Sequence, residues 1–186
     1  LAVTLKNNMP ETEVVIGDIK EDNIKDKIID LSIKKGVNMI IGGPPCQGYS
    51  MKGKKLGLND PRNFLFIEYL NLVKRIQPEV FVIENVKSIL STSKGWFKDE
   101  IKTEIKKLGY YVDVGVLTAT DFGVPQTRQR AIFICCKIKK INLPTAVVKY
   151  PVNVKDAIFD LAYLNSNEGD FEQKYKNEPS SKYQKM

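Results

Sequence analysis

The stretch Asn38-Met39-Ile40-Ile41-Gly42-Gly43-Pro44-Pro45-Cys46-Gln47-Gly48-Tyr49-Ser50 decides the fold. Asn38 to Ile41 is an apolar run that reads as a buried strand. It runs into two glycines that allow close backbone approach and two prolines that cannot continue a ladder, so a loop begins there. From Gln47 to Asp60 the chain is rich in Gly, Lys and Ser with little apolar period, which predicts a long exposed loop. Pro61 then opens a helix carrying Phe64, Leu65, Tyr69, Leu72 and Val73. A cysteine at the carboxyl end of such a strand stands at the ligand edge of an α/β sheet, where a thiolate can serve as a nucleophile.

Outward from this point, strands and helices alternate, the signature of a sheet with helices on its faces. Upstream, Val14-Val15-Ile16 is expected to be a short buried strand ending at Gly17-Asp18. A helix follows from Ile24 to Lys35, with apolar residues at 24, 28, 31 and 33 and Gly36 as its stop. Downstream, strands are expected at Val80 to Ile83, Tyr111 to Leu117 and Ala131 to Cys136, and an amphipathic helix from Trp96 to Leu108. Asp18, Pro45-Cys46 and Glu84-Asn85 all fall just after strands and are expected to share one cleft. Past Lys140 the pattern changes: Val154 to Leu161 reads as a short helix, and Asn165 to Met186 as a polar, loosely ordered tail. A core over residues 1–140 and a connecting region over 141–186 are therefore expected.

Composition narrows the chemistry. The chain has 186 residues and 29 Lys and Arg against 22 Asp and Glu, for a net charge of +7 that favours a polyanionic partner. Histidine is absent, which removes the Ser-His-Asp and Cys-His hydrolase schemes. The cysteines, Cys46, Cys135 and Cys136, are odd in number and lack metal-site spacing, so neither a disulfide framework nor a bound metal is expected. No run approaches the roughly 18 apolar residues of a membrane span. A monomeric cytoplasmic protein with no membrane association is the expectation.

Several motifs in order resemble the DNA cytosine-5 methyltransferases: Gly42 to Ser50, then Asp60-Pro61-Arg62-Asn63 with Leu65-Phe66, Glu84-Asn85-Val86, and Gly123-Val124-Pro125-Gln126-Thr127-Arg128-Gln129-Arg130. Gly17-Asp18-Ile19 resembles the family's adenine-side motif. Val154-Lys155-Asp156-Ala157-Ile158 is similar to the stretch leading into target recognition. The resemblance implies a Rossmann-like, S-adenosylmethionine-dependent methyltransferase fold. It also implies double-stranded DNA as substrate, within a restriction-modification system that includes a cognate endonuclease.

What the resemblance implies for single residues follows from the reaction. Carbon 5 of cytosine is a poor nucleophile until a thiolate adds at carbon 6, and Cys46 is expected to supply that thiolate. Glu84 is expected to hold or donate a proton at ring nitrogen 3. With no histidine available, Arg128 and Arg130 are the cations expected to favour the thiolate and to meet the base or a phosphate; their alternate spacing on an extended segment puts both on one face. Asp18 and Ile19 are expected at the cofactor's adenine, and Gly43, Pro45 and Leu65 along its pocket. Asn85 is expected to shape the turn. Reaching a stacked base requires extruding it, and Gln47, Ser50, Lys52, Lys54 and Lys55 are the candidates to meet the backbone or fill the gap.

The sequence departs from the family in two places. The family's opening Phe-x-Gly-x-Gly loop and acidic ribose contact, and its last two motifs, are not found within residues 1–186. A fold incomplete at its amino end is therefore expected. The alternatives are a transfer RNA cytosine-5 methyltransferase and a non-catalytic nucleic-acid-binding remnant.

Overall fold

A computed structural model describes residues 2–45, 63–170 and 172–186. In chain order the elements are α1 (Ala2–Asn8), α2 (Asp22–Lys34), β1 (Met39–Gly42), α3 (Phe64–Ile76), β2 (Val80–Val86), α4 (Trp96–Lys107), β3 (Tyr111–Thr118), β4 (Gln129–Cys136) and α5 (Val154–Ile158). The chain divides into two compact units, the first being Leu1–Gly115 with Ala131–Leu143 and the second Val116–Arg130 with Pro144–Met186.

The four strands form one sheet in the order β1-β2-β4-β3. β1 and β2 are parallel, in a register that pairs Met39 with Val80 and Gly42 with Ile83. Two parallel strands need a crossover between them, and α3 provides its helical part. Helix α3 stops where Gln77 turns left-handed at φ 55° and Pro78 cannot extend it.

In the first unit one sheet face is sealed. Phe81 and Ile83 of β2, with Ala131, Phe133 and Cys135 of β4, pack against Phe66, Leu70 and Val73 of α3 and Phe97, Ile101 and Ile105 of α4. The helix positions recur at three- and four-residue spacing, which puts them on one face. Cys135 and Cys136 are buried and free, as expected of packing residues. On the other face of β1, Met39 and Ile41 remain half or more exposed, at 50% and 70%. Helix α2 is tied to α3 by Arg75, 2.8 Å from Asp26, and by Lys25, 3.4 Å from the buried Glu68.

One expectation is corrected. Val14 to Ile16 forms no strand among the described residues. Residue type favours a strand there, but a strand exists only where a neighbour completes its ladder, and β1 is paired with β2 alone in this sheet. Side-chain hydrogen bonds join the tail after Asn165 to the region of α5. Tyr175 donates to the buried Asp160, Asn177 donates to the Asp160 carbonyl at 2.9 Å, and Ser181 donates to the carbonyl of Asp156. Polar side chains bonded to backbone substitute there for the apolar contacts the sequence lacks.

Candidate active site

The carboxyl ends of β1 and β2 bring two sequence-predicted positions into contact. Gly43 follows β1 as Glu84 lies one step past Ile83 in β2, and a Cβ built on Gly43 would stand 3.1 Å from Oε2 of Glu84. Any side chain at position 43 would crowd the carboxylate. Glu84 itself is half-buried.

Its neighbour Asn85 points the other way, because side chains alternate along a strand. The Asn85 side chain is buried and donates from Nδ2 to the carbonyl oxygen of Pro44 at 3.0 Å, while its Oδ1 accepts from the Val86 amide at 2.9 Å. A proline carbonyl in a loop has no ladder partner of its own, so this bond satisfies it and fixes the loop on leaving β1. Asn85 therefore shapes the turn, as expected. Pro44 is buried and Pro45 exposed. Cys46, Gln47, Ser50, Lys52, Lys54 and Lys55 lie outside the described residues.

Beneath this edge sits a residue whose role the sequence did not disclose. The hydroxyl of Tyr69 in α3 donates to the carbonyl of Val82 at 2.9 Å and lies 3.4 Å from that of Ile40, bridging β2 and β1. Its ring passes so close to Gly42 that a Cβ there would meet Tyr69 Cε2 at 2.5 Å. Burial pushes the Tyr69 phenol well above its ordinary range. The one available signal was a tyrosine among apolar helix positions, since a buried hydroxyl requires a partner.

Leu65 lies one turn before Tyr69 on the same helix face and is 37% exposed. Next to this first turn, the Lys20 ammonium stands 5.3 Å from the centre of the Phe64 ring, which draws the Gly17-Asp18-Ile19 segment towards α3. Asp18 is exposed and its carboxylate accepts from the Lys20 amide at 2.9 Å; Ile19 is half-buried. A side chain at Gly17 would require Ile24 to shift, because a Cβ there would meet Ile24 Cδ1 at 2.3 Å. The carboxyl edge and the first turn of α3 thus present partly exposed apolar surface at Leu65, the exposed Asp18 carboxylate and the side-chain-free backbone of Gly43.

Arg128 and Arg130 belong to the second unit. Arg128 immediately precedes β4 and Arg130 lies within it, donating to the carbonyl of Gln129 at 2.9 Å. The preceding loop is closed by the Ala119 amide donating to the Arg128 carbonyl at 2.9 Å. The amides of Val147 and Val148 clasp it by donating to the Asp121 carbonyl at 3.0 and 3.2 Å. Among the described residues no cluster of acidic, cysteine or histidine side chains could hold a metal, and no helix is long and apolar enough to cross a membrane.

The family model for C-5 cytosine-specific DNA methylase matches residues 1–185. Type II methyltransferase M.DdeI of Desulfomicrobium norvegicum is 39% identical over 191 residues, covering 97% of this chain and 45% of the relative. M.AquIA of Picosynechococcus is 40% identical over 148 residues, covering 74% and 59%. The chain spans about half the length of the curated relatives it matches. Among solved structures, a candidate DNA modification methyltransferase encoded within an E. coli prophage superposes with a TM-score of 0.65 at 29% identity, over 86% of this chain and 45% of that one. The Entamoeba histolytica methyltransferase EhMeth shares the fold, with a TM-score of 0.57 at 21% identity over 90% of this chain and 49% of its own.

Proposed function

The chain belongs to the C-5 cytosine-specific DNA methylases, and on that premise we propose that the protein methylates carbon 5 of cytosine in double-stranded DNA, with Cys46 as the nucleophile. The observation that carries this reading is the paired edge of β1 and β2. Glu84 lies against Gly43 and Asn85 anchors Pro44, so the carboxylate and the backbone leading directly into Cys46 are held together.

The Cys46 thiolate adds to carbon 6 of an extruded cytosine, which makes carbon 5 an enamine carbon. Glu84 holds or donates a proton at ring nitrogen 3 as electron density collects there, lowering the cost of the addition. After methyl transfer a solvent water takes the proton from carbon 5, the electron pair of that bond expels the Cys46 sulfur from carbon 6 as thiolate, and nitrogen 3 returns its proton to Glu84. Arg128 and Arg130 supply guanidinium donors for the base carbonyl or an adjacent phosphate. The loop bearing Gln47, Ser50, Lys52, Lys54 and Lys55 meets the DNA backbone and the vacated stack.

S-adenosylmethionine is the methyl donor in this reading, supplying an electrophilic methyl on a sulfonium. The residues present fit its adenosine end: Ile19 and Leu65 offer partly exposed apolar surface, Asp18 an exposed carboxylate, Gly43 bare backbone beside Glu84, and Pro45 an exposed ring. The Type II relatives support a cognate restriction endonuclease as genetic partner.

The test is trapping. The intact protein is incubated with DNA containing 5-fluorocytosine and S-adenosylmethionine; fluorine cannot leave carbon 5 as the proton does, so a denaturation-resistant adduct is expected. Adduct formed equally by Cys46→Ser overturns the assignment. An adduct with transfer RNA but not with DNA would replace the substrate.

A further inference from the structure

At the opposite end of the sheet, where β2 begins and β4 ends, lies a cleft of about 430 Å³ lined by Lys106, Gly109, Tyr110, Tyr111, Val112, Lys137 and Lys140. It lies wholly within the first unit. Strand β2 separates it from Glu84, and a strand rises about 3.3 Å per residue, so the cleft is distinct from the proposed active site.

Three features mark it as a built site. The first is charge. Lys106, Lys137 and Lys140 form no ion pair among the described residues, whereas Lys25, Lys35 and Lys107 each sit within 3 Å of a carboxylate oxygen. No carboxylate lines the cleft, and Glu79 meets Lys137 through its main-chain carbonyl at 2.9 Å. Like charges gathered around a concave surface focus a positive potential that draws anions. The second is pre-organisation. Lys137 is held by Gln77, its Nζ 2.7 Å from Oε1, and the buried Tyr110 ring is pinned by its hydroxyl donating to the Pro78 carbonyl at 2.6 Å. The third is an aromatic face: Tyr111 is 54% exposed beside the lysines, available for stacking.

We infer that this cleft binds a phosphate-bearing nucleotide unit, with Lys106, Lys137 and Lys140 around the phosphate and Tyr111 against the base. Its volume suits one nucleotide, since small-ligand sites begin at about 300 Å³. The same chemistry is offered by a free nucleotide and by one unit of a nucleic-acid strand.

Amide resonances of Gly109, Tyr111, Val112 and Lys137 in the isotope-labelled intact protein are followed during titration with deoxyadenosine monophosphate, inorganic phosphate or a short DNA duplex. The nucleotide is expected to shift them saturably, and Lys140→Glu to weaken its binding about tenfold or more, with Kd rising in salt. Tyr111→Ala is expected to bring nucleotide affinity down to that of phosphate. Competition by the duplex identifies a strand as the source; indifference to the duplex identifies the free nucleotide. No saturable shift with any probe overturns the site, as does unchanged affinity in Lys140→Glu. Unchanged nucleotide affinity in Tyr111→Ala overturns the nucleotide assignment. Lys140 and Tyr111 are exposed, so neither substitution threatens the fold.

Discussion

Asn85 Nδ2 and the carbonyl oxygen of Pro44, 41 positions apart in the chain, lie 3.0 Å apart and buried. One strand thereby holds the loop of its neighbour just before the residue proposed as nucleophile.

Removing that bond should act on the loop first. Asn85→Ala leaves the Pro44 carbonyl without its donor, at a cost of about 1 to 3 kcal/mol. The rate of adduct formation with 5-fluorocytosine DNA is expected to fall further than this loss of stability explains. Denaturant unfolding measured beside trapping rates checks it; a variant that is destabilised yet traps at the wild-type rate would show that the bond serves folding alone.

Glu84→Gln tests the proton at ring nitrogen 3. Loss of a general acid costs roughly 10²- to 10⁴-fold in rate. DNA affinity, measured by equilibrium binding, is expected to change little. A variant retaining most of its methylation rate would remove Glu84 from the chemistry.

Gly42 and Tyr69 are predicted to be energetically coupled. Gly42→Ala puts a Cβ 2.5 Å from Tyr69 Cε2 and is expected to cost about 1 to 3 kcal/mol. Tyr69→Phe keeps the ring and should not relieve this clash, whereas Tyr69→Leu should relieve part of it in the double variant. Strict additivity of Gly42→Ala and Tyr69→Leu in a double-mutant cycle would contradict the contact.

Alkaline pH should weaken the first unit. Burial raises the Cys135 thiol above its ordinary 9.0 and the Tyr69 and Tyr110 phenols above 10.0. The folded state then keeps protons that the unfolded chain releases. Stability is thus intact below the ordinary values and falls as pH rises from about 9 towards the raised folded-state values. Unfolding midpoints from neutral to strongly alkaline pH measure the slope, and Tyr69→Phe with Cys135→Val should flatten it. An unchanged slope in that double variant would assign the effect to other groups.

Much of the fold was legible because hydrophobic period is a local property. The spacing of Phe66, Leu70 and Val73, and of Phe97, Ile101 and Ile105, marks helix faces wherever those helices dock. Val14 to Ile16 marks the limit of that logic, since β-branched residues favour a strand but cannot provide the neighbour that completes one. The polar tail marks it again: Asp160 meets Tyr175 and Asn177 from 15 and 17 positions away, a folding mode with no apolar period to read. At the site, Asp18, Gly43, Leu65 and Glu84 were singled out by motif, while Tyr69 passed as an ordinary core position because its hydroxyl partners lie on two other elements.

The sequence by itself determined the family and the proposed chemistry, because covalent attack on a pyrimidine needs particular residue types, and Pro-Pro-Cys-Gln and Glu-Asn-Val occur here in order. The tertiary structure alone decided that Gly43 faces Glu84, that Asn85 reaches Pro44, and that Lys106 and Lys137 share a cleft. Alternation along a strand tells which residues share a face, but the register that pairs Gly42 with Ile83 is set by the packing of α3 across both strands.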